Sequence, residues 1–90
     1  MEHLTLHYLN ARDVQALAMT ADEIIQAQED SLAAQGRGET VIEPRMHLRP
    51  DPAFRGHFNV LRGYIAPIGI AGIKVVGDFI DNYKLGYPSE

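Results

Sequence analysis

The stretch that decides the fold is residues 69–89, which read GIAGIKVVGDFIDNYKLGYPS. From Ile70 to Ile80 it is short, almost wholly apolar and rich in β-branched residues, a pattern typical of a buried β-strand. Lys74 lies in the middle of this run. Because an ammonium group is costly to bury without a partner, Lys74 needs an explanation.

Side chains alternate between the two faces of a strand, so this stretch divides into two sets. The first set is apolar and is predicted to face the core: Ala71, Ile73, Val75 and Phe79. The second set contains both charges: Gly72, Lys74, Val76 and Asp78. From spacing alone the second face fits a ligand site, a structural Lys74–Asp78 ion pair, or a lysine whose stem packs while its head reaches water.

The length and composition are those of one small domain. The chain has 90 residues, is 46% hydrophobic and 22% charged, and contains no cysteine. A domain of this size buries only about two thirds of its unfolded surface. Without cysteine, neither a disulfide nor a thiolate metal site can add stability. We therefore expect oligomerisation, or attachment to more chain, to supply it.

The charge and hydropathy patterns exclude several classes of partner. A net charge of −4 gives no electrostatic reason to expect nucleic acid or an anionic membrane. No segment approaches the roughly 20 apolar residues of a membrane span, and the N-terminus lacks the basic and apolar regions of a signal peptide. The sequence therefore predicts a cytoplasmic protein with no nucleic-acid or membrane partner.

Two helices are predicted in the first half of the chain. Asn10 is a suitable N-cap for a short helix over Ala11–Ala18. Thr20 opens a capping box for the main helix, Ala21–Gln35, and Gly36 is predicted to end it as a left-handed C-cap. The inward stripe of the main helix is predicted to contain Ala21, Ile24, Ile25, Gln28 and Leu32.

Four strands are predicted, of which the last is the Ile70–Ile80 stretch. Loose alternation indicates a first strand over Leu4–Leu9, and the others are Thr40–Arg49 and His57–Ile65. Because Pro44 cannot donate a ladder hydrogen bond, it should lie on an edge or at a bulge. Residues 81–90 are predicted to be loop.

These elements have the order β-α-α-β-β-β and predict a single α+β domain over residues 1–90. Short turns join the last three strands, which indicates a mostly antiparallel sheet with the helices on one face. The other face would carry four potential cations: Arg45, His47, Arg49 and Lys74. In an acidic protein, such a face is expected to meet a ligand or a partner.

Arg45 and Lys74 are the candidate binding residues. Arginine can grip a carboxylate through two hydrogen bonds, and lysine can add a point charge. The pair suits a small carboxylic acid better than a phosphate, because no glycine-rich loop opens a helix. The alternative for Arg45 is a surface salt bridge with Glu43 or Asp78. The four histidines lack metal-ligand spacing, so no metal site is predicted.

Several segments, taken in their order and spacing, resemble the N-terminal portion of the ornithine cyclodeaminase/mu-crystallin family. They are residues 43–45 (EPR), residues 72–76 (GIKVV), Asn82 and residues 86–89 (GYPS). The opening YLNARDV and the helix that ends in a glycine are also similar to that family. The resemblance covers nearly all 90 residues.

The resemblance implies a homodimeric, NAD- or NADP-dependent enzyme of amino acid metabolism. A first domain would supply dimerisation and substrate binding, and a second, Rossmann-type domain would hold the nucleotide. Ornithine cyclodeaminase converts ornithine to proline with loss of ammonia, and relatives reduce cyclic ketimines. By position, Arg45 matches the arginine that binds the substrate carboxylate. Lys74 matches the substrate-binding and catalytic lysine near the reacting carbon.

The sequence departs from this family in three ways. Residues 61–63 read LRG where Met-Pro-Ala is usual, which puts the charge of Arg62 near the expected substrate side-chain pocket. Tyr87 replaces the usual leucine, and Ser89 the usual threonine. The family's catalytic acid and its nucleotide-binding domain have no counterpart in these 90 residues. We therefore expect an incomplete part of a larger enzyme, with the cofactor bound by further chain or by a partner.

Two other classes of function fit the same residues. One is a non-catalytic module, like mu-crystallin, that binds a small carboxylate or only dimerises. The other is a structural sheet whose basic face pairs with a partner chain. That last interpretation predicts that Arg45→Ala and Lys74→Ala break the dimer.

Overall fold

The computed structural model describes residues 2–90 and shows an α+β chain with an open antiparallel sheet. The residues divide into two compact units, one up to Asp30 and the other Ser31–Glu90. The helices are α1 (Ala11–Ala16) and α2 (Ala21–Gly36), followed by β1 (Thr40–Ile42), β2 (Met46–Leu48), β3 (Gly56–Ile65) and β4 (Ile70–Phe79). Two 3-10 helices, Ala66–Ile68 and Ile80–Leu85, follow β3 and β4.

Both α-helices begin where the sequence predicts, at reciprocal side-chain caps. The Asn10 side chain accepts a hydrogen bond from the amide of Asp13 at 3.0 Å, and the Asp13 carboxylate accepts from the amide of Asn10 at 2.9 Å. Thr20 and Glu23 make the same exchange at 3.1 and 3.3 Å. Each cap pairs two of the amide groups that a helix N-terminus leaves free.

The main helix ends one residue later than predicted, at Gly36. Gly36 is helical, and Gly38 has the left-handed conformation, with φ of 73°. The Glu39 amide donates to the Ala34 carbonyl at 2.9 Å and the Gly38 amide donates to the Gln35 carbonyl at 3.0 Å. These two bonds form a Schellman motif centred on Gly38, so the prediction of Gly36 as the C-cap is wrong.

The long strand β3 is the centre of the sheet. It pairs with β4 over its whole length, from Gly56 opposite Phe79 to Ile65 opposite Ile70. Its other edge pairs with β1 and β2 in succession, and all three pairings are antiparallel. The predicted antiparallel meander is therefore confirmed, and it places the sheet within residues 40–79.

The predicted strand over Thr40–Arg49 is interrupted by a bulge. Ile42 lies opposite Gly63 and Met46 lies opposite Val60. The chain therefore advances four residues from Ile42 to Met46 where β3 advances three. One extra residue in this interval reverses the alternation, as a β-bulge does. Pro44 lies in the interruption, as its missing N–H predicts. Ile42 and Met46 consequently lie on opposite faces, whereas alternation along the uninterrupted strand predicted over Thr40–Arg49 would put them on the same face.

The predicted first strand over Leu4–Leu9 is absent from the described residues. This segment has no strand assignment, and Leu4 and Leu6 are almost fully exposed. A strand needs a partner for its backbone groups, and alternation of side chains does not supply one. The element order is therefore α-α-β-β-β-β. The position of the helices against one face of the sheet stays a prediction.

The segment after β4 is more ordered than the predicted loop. Residues 80–85 form a 3-10 helix that Gly86 ends with φ of 81°. The amide of Phe79 donates to the carbonyl of Ser89 at 2.8 Å, and the Asn82 side chain donates to the carbonyl of Pro88 at 3.0 Å. These bonds fold the GYPS segment back onto the end of β4.

The apolar side chains of the sheet do not form a buried core. Ala34 is the one fully buried apolar residue among those described, whereas Ile73 is 75% exposed and Val75 is 62% exposed. The prediction that one face of β4, with Ala71, Ile73, Val75 and Phe79, lies in the core is therefore wrong for the described chain. The inward stripe of α2 is not buried either, since Ile24 and Leu32 are exposed.

Candidate functional site

The sheet has one apolar face and one face that carries polar groups. The register puts large apolar side chains on the first face, here called the apolar face, among them Met46, Leu48, Phe58, Val60, Ile73 and Val75. The register puts five polar side chains on the second, here called the polar face: His47, His57, Asn59, Lys74 and Asp78. The two sets predicted for β4 alternate as expected.

Lys74 lies on the polar face in the middle of β4, directly opposite Leu61 of β3. Its side chain is exposed, and it makes no hydrogen bond or ion pair to the described residues. The sequence left open a structural pair between Lys74 and Asp78. That pair is not formed here. Four residues of strand separate the two backbones by about 13 Å, too far for a direct salt bridge from Asp78 to a lysine that extends away from the sheet.

Arg45 precedes β2 at the end of the bulge. Continuing the β2 register by one residue brings Arg45 to the level of Leu61, which is opposite Lys74. Two strand spacings then separate the backbones of Arg45 and Lys74, or about 10 Å. Both side chains are long enough to reach one small anion between them.

The alternative for Arg45, a surface salt bridge with Glu43 or Asp78, is also not formed among the described residues. Glu43 lies near Arg62, with 3.8 Å between the carboxylate and the guanidinium, and it makes no pair with Arg45. Arg62 also contacts the sulfur of Met46 at 3.0 Å. The charge of Arg62 is therefore on the apolar face, on the opposite side of the sheet from Lys74.

Asn59 is a polar-face residue that the sequence analysis did not single out. Its side-chain oxygen is buried and has no hydrogen-bond partner among the described residues. It lies opposite His47 on β2 and two residues from Leu61 on its own strand. An unpartnered buried acceptor costs free energy, so a donor from a ligand would stabilise it. Only the strand register reveals that Asn59 and Lys74 share a face.

Two histidines lie beside Asn59. The rings of His47 and His57 meet edge to face with 5.1 Å between their centroids. No group of three or more histidine, aspartate or glutamate side chains in residues 2–90 is arranged to hold a metal ion. We therefore describe His47 and His57 only as part of the polar face.

A depression in the sheet lies on the opposite side from Arg45 and Lys74. It has a volume of about 510 Å³ and is lined mainly by apolar-face positions, among them Val41, Arg62, Tyr64 and Ile73. It is shallow and open. The two predicted site residues do not line it.

An ion-pair cluster fixes the end of the sheet beyond β4. Arg55 donates two hydrogen bonds to Asp81, at 3.0 and 2.6 Å, and Lys84 approaches the same carboxylate at 3.2 Å. The hydrogen bonds from Arg55 and then Lys84 hold the pKa of Asp81 well below its usual range. The same hydrogen bond raises the pKa of Arg55. The sequence analysis missed this pair, since 26 residues separate its members.

The described residues do not fit a dinucleotide. Such a site needs a glycine-rich turn that leads from a strand into a helix, with the pyrophosphate at the helix N-terminus. Here α1 and α2 begin at Ala11 and Ala21, and neither follows a strand within residues 2–90. The glycines of residues 36–38 end α2.

Comparison of the chain with protein-family models, with curated proteins and with solved structures gave no match. Neither α-helix within residues 2–90 is long and apolar enough to cross a membrane.

Proposed function

We propose that this chain is the N-terminal, substrate-binding part of an NAD- or NADP-dependent enzyme that acts on a small amino or imino acid. The enzyme would resemble ornithine cyclodeaminase or a ketimine reductase. Arg45 binds the substrate carboxylate, and Lys74 adds a positive charge close to the reacting carbon. The nucleotide-binding domain belongs to further chain or to a partner, and the protein is a cytoplasmic homodimer.

The observation that carries this proposal is the pair of unpartnered cations at one level of the sheet. The β2 register, continued by one residue from Met46, brings Arg45 to the level of Leu61, which lies opposite Lys74. Neither cation has an anionic partner among the described residues. With the two backbones about 10 Å apart, both side chains can reach one carboxylate that lies between them. Since arginine binds a carboxylate through two parallel hydrogen bonds, Arg45 supplies orientation as well as affinity.

Asn59 supports the same ligand class. Its buried, unpartnered oxygen lies on the face that carries Lys74. A carboxylate cannot satisfy it, because both groups are acceptors. The N–H of an amino or imino group can. A ligand with a carboxylate at one end and an N–H donor near it would match all three residues.

The chemistry left to these residues is binding and electrostatic stabilisation. Arg45 orients the substrate through its carboxylate. Lys74 interacts more strongly with a substrate atom that gains negative charge during the reaction than with the neutral ground state. When bound, the nucleotide would supply the hydride.

The alternative function is a non-catalytic module that binds a small carboxylate or only dimerises. It uses the same two cations, so binding alone does not separate the two functions. We would mix the natively produced protein with NADH and a cyclic imino acid and follow the absorbance of NADH. A decrease that requires the imino acid supports the enzyme, and an unchanged absorbance with intact binding supports the module.

The role of Arg45 can be tested in the same assay. Arg45→Ala should raise KM about thirtyfold, because a lost charge-assisted contact costs about 2 kcal/mol. Arg62→Ala is the matched control, since Arg62 lies on the opposite face, and it should leave KM within about twofold. Full activity of Arg45→Ala with an unchanged KM would contradict the proposed role.

A further inference from the structure

A second pocket lies at the far end of the polar face from Arg45 and Lys74. It has a volume of about 370 Å³, within the range of small-molecule sites. Its lining combines charged and apolar side chains: Arg49, Pro52, Phe54, Arg55, Gly56, His57, Asp78 and Ile80. The proposed function makes no use of this pocket.

The pocket contains one unpartnered cation and one unpartnered anion. Arg49 is exposed and makes no hydrogen bond or ion pair to the described residues. Asp78 is half-buried, lies opposite His57 in the strand register and also makes none. A half-buried carboxylate without a partner favours a cationic or hydrogen-bond-donating ligand.

The second arginine of the pocket is already paired. The guanidinium of Arg55 donates two hydrogen bonds to Asp81, and Asp81 also forms an ion pair with Lys84. The amide of Ile80 donates to the carbonyl of Arg55 at 3.1 Å. Arg55 therefore forms a fixed wall, and the charges free for a ligand are those of Arg49 and Asp78.

The apolar part of the lining indicates that the ligand also has an apolar group. Pro52, Phe54 and Ile80 surround the pocket, and both Phe54 and Ile80 expose more than half of their surface. An apolar group that covers them gains free energy in proportion to the area removed from water.

We propose that this pocket binds the zwitterion of an α-amino acid with an apolar side chain. Asp78 contacts the ammonium group, Arg49 contacts the carboxylate, and Phe54 and Ile80 cover the side chain. The site is separate from the Arg45–Lys74 site, because Asp78 and Lys74 are about 13 Å apart along β4.

The test is a titration of the ¹⁵N-labelled full chain with L-phenylalanine, followed by two-dimensional NMR. The backbone amides of His57 and Asp78 should shift. N-acetyl-L-phenylalanine lacks the ammonium group and L-phenylalaninamide lacks the carboxylate, so each should bind about tenfold more weakly.

Two neutral variants assign each charge to its residue. Asp78→Asn should weaken L-phenylalanine about tenfold and leave N-acetyl-L-phenylalanine unchanged. Arg49→Gln should weaken L-phenylalanine similarly and leave the amide unchanged. Arg49 is exposed, so Arg49→Gln should fold even if Asp78→Asn does not. The control Arg45→Gln/Lys74→Gln should bind L-phenylalanine at this pocket as the unmodified chain does.

Three results would overturn the proposal. The first is the absence of shifts at His57 and Asp78 with L-phenylalanine. The second is equal binding of the amino acid and its two derivatives. The third is loss of these shifts in the Arg45→Gln/Lys74→Gln control, which would assign the ligand to the other site. The first two results leave the role of Arg45 in the NADH assay untouched.

Discussion

Asn59 is the residue whose environment is hardest to explain by stability alone. A buried carbonyl oxygen without a partner costs about 1–3 kcal/mol. An apolar side chain of similar shape at this position would avoid that cost. The cost is explained if the oxygen accepts a hydrogen bond from a ligand.

Asn59→Leu is therefore expected to separate stability from binding. It should raise the free energy of unfolding by about 1 kcal/mol, because it removes the unpartnered acceptor. It should also weaken L-proline binding about fivefold or more, through loss of one hydrogen bond. Urea unfolding and an NMR titration measure the two effects. A variant that gains stability and binds L-proline normally would remove Asn59 from the site.

The ion pair of Arg55 and Asp81 predicts a pH dependence of stability. The pKa of Asp81 is lowered in the folded chain by hydrogen bonds from Arg55 and Lys84. Its contribution is therefore complete above the unfolded pKa of about 3.9 and is lost as the pH falls toward the folded value. Asp81→Asn should destabilise the sheet at pH 7, and the difference from the unmodified chain should shrink below about pH 4.

Unfolding in urea at a series of pH values measures this difference. Glu29→Gln removes one exposed charge from α2 without breaking an ion pair, so its effect should be small at every pH. A gap between Asp81→Asn and the unmodified chain that stays constant down to pH 2 would contradict the role of the pair.

At the scale of elements, the C-terminus of α2 provides a matched pair of glycines. Gly38 has φ of 73°, where a Cβ is strained, whereas Gly36 is helical and a Cβ there would meet no atom within 4 Å. Gly38→Ala should lower the free energy of unfolding by about 1–2 kcal/mol, and Gly36→Ala should raise it by about 0.5–1 kcal/mol. Thermal unfolding of the two variants measures both. Equal effects would contradict the Schellman motif at Gly38.

The elements that the sequence predicts well are those fixed by neighbouring residues. The caps at Asn10 and Thr20 use side chains three residues away, and the break at Pro44 follows from one missing N–H. The prediction of a strand over Leu4–Leu9 is wrong because a strand depends on a distant partner. The prediction of a loop over residues 80–85 is wrong because their order depends on hydrogen bonds to Arg55 and to the segment that follows.

The candidate site was predictable only in part for the same reason. Alternation along one strand places Lys74 and Asp78 on one face. Relating them to Arg45 and Asn59 requires the register of three strands, which includes the one-residue bulge before Met46.

At the scale of the whole molecule, the exposed apolar face is the main unexplained surface. It carries Ile73 and Val75, both more than half exposed, beside Val60 and Phe58. Exposed apolar patches of this kind mark interaction sites. A second copy of the chain is the occupant that agrees with the proposed homodimer.

The expected result is a sedimentation mass of the natively produced protein at twice that of one chain. Ile73→Lys with Val75→Lys should give the monomer mass, because two charges would have to be buried in the interface. Arg45→Ala and Lys74→Ala should leave the dimer intact. If Arg45→Ala and Lys74→Ala break the dimer and the Ile73→Lys/Val75→Lys variant does not, the result would favour a structural role for Arg45 and Lys74.

The central claim is that Arg45 and Lys74 together bind the carboxylate of a small amino or imino acid. The most direct measurement is an NMR titration of the full chain with L-proline, beside L-prolinamide, which lacks the carboxylate. We expect shifts around Leu61 and Lys74 with L-proline, about tenfold weaker binding of the amide, and similar weakening by Arg45→Gln or Lys74→Gln but not by Arg62→Gln. Equal shifts around Leu61 and Lys74 with L-proline and with its amide, or shifts there that survive both substitutions, would contradict the claim.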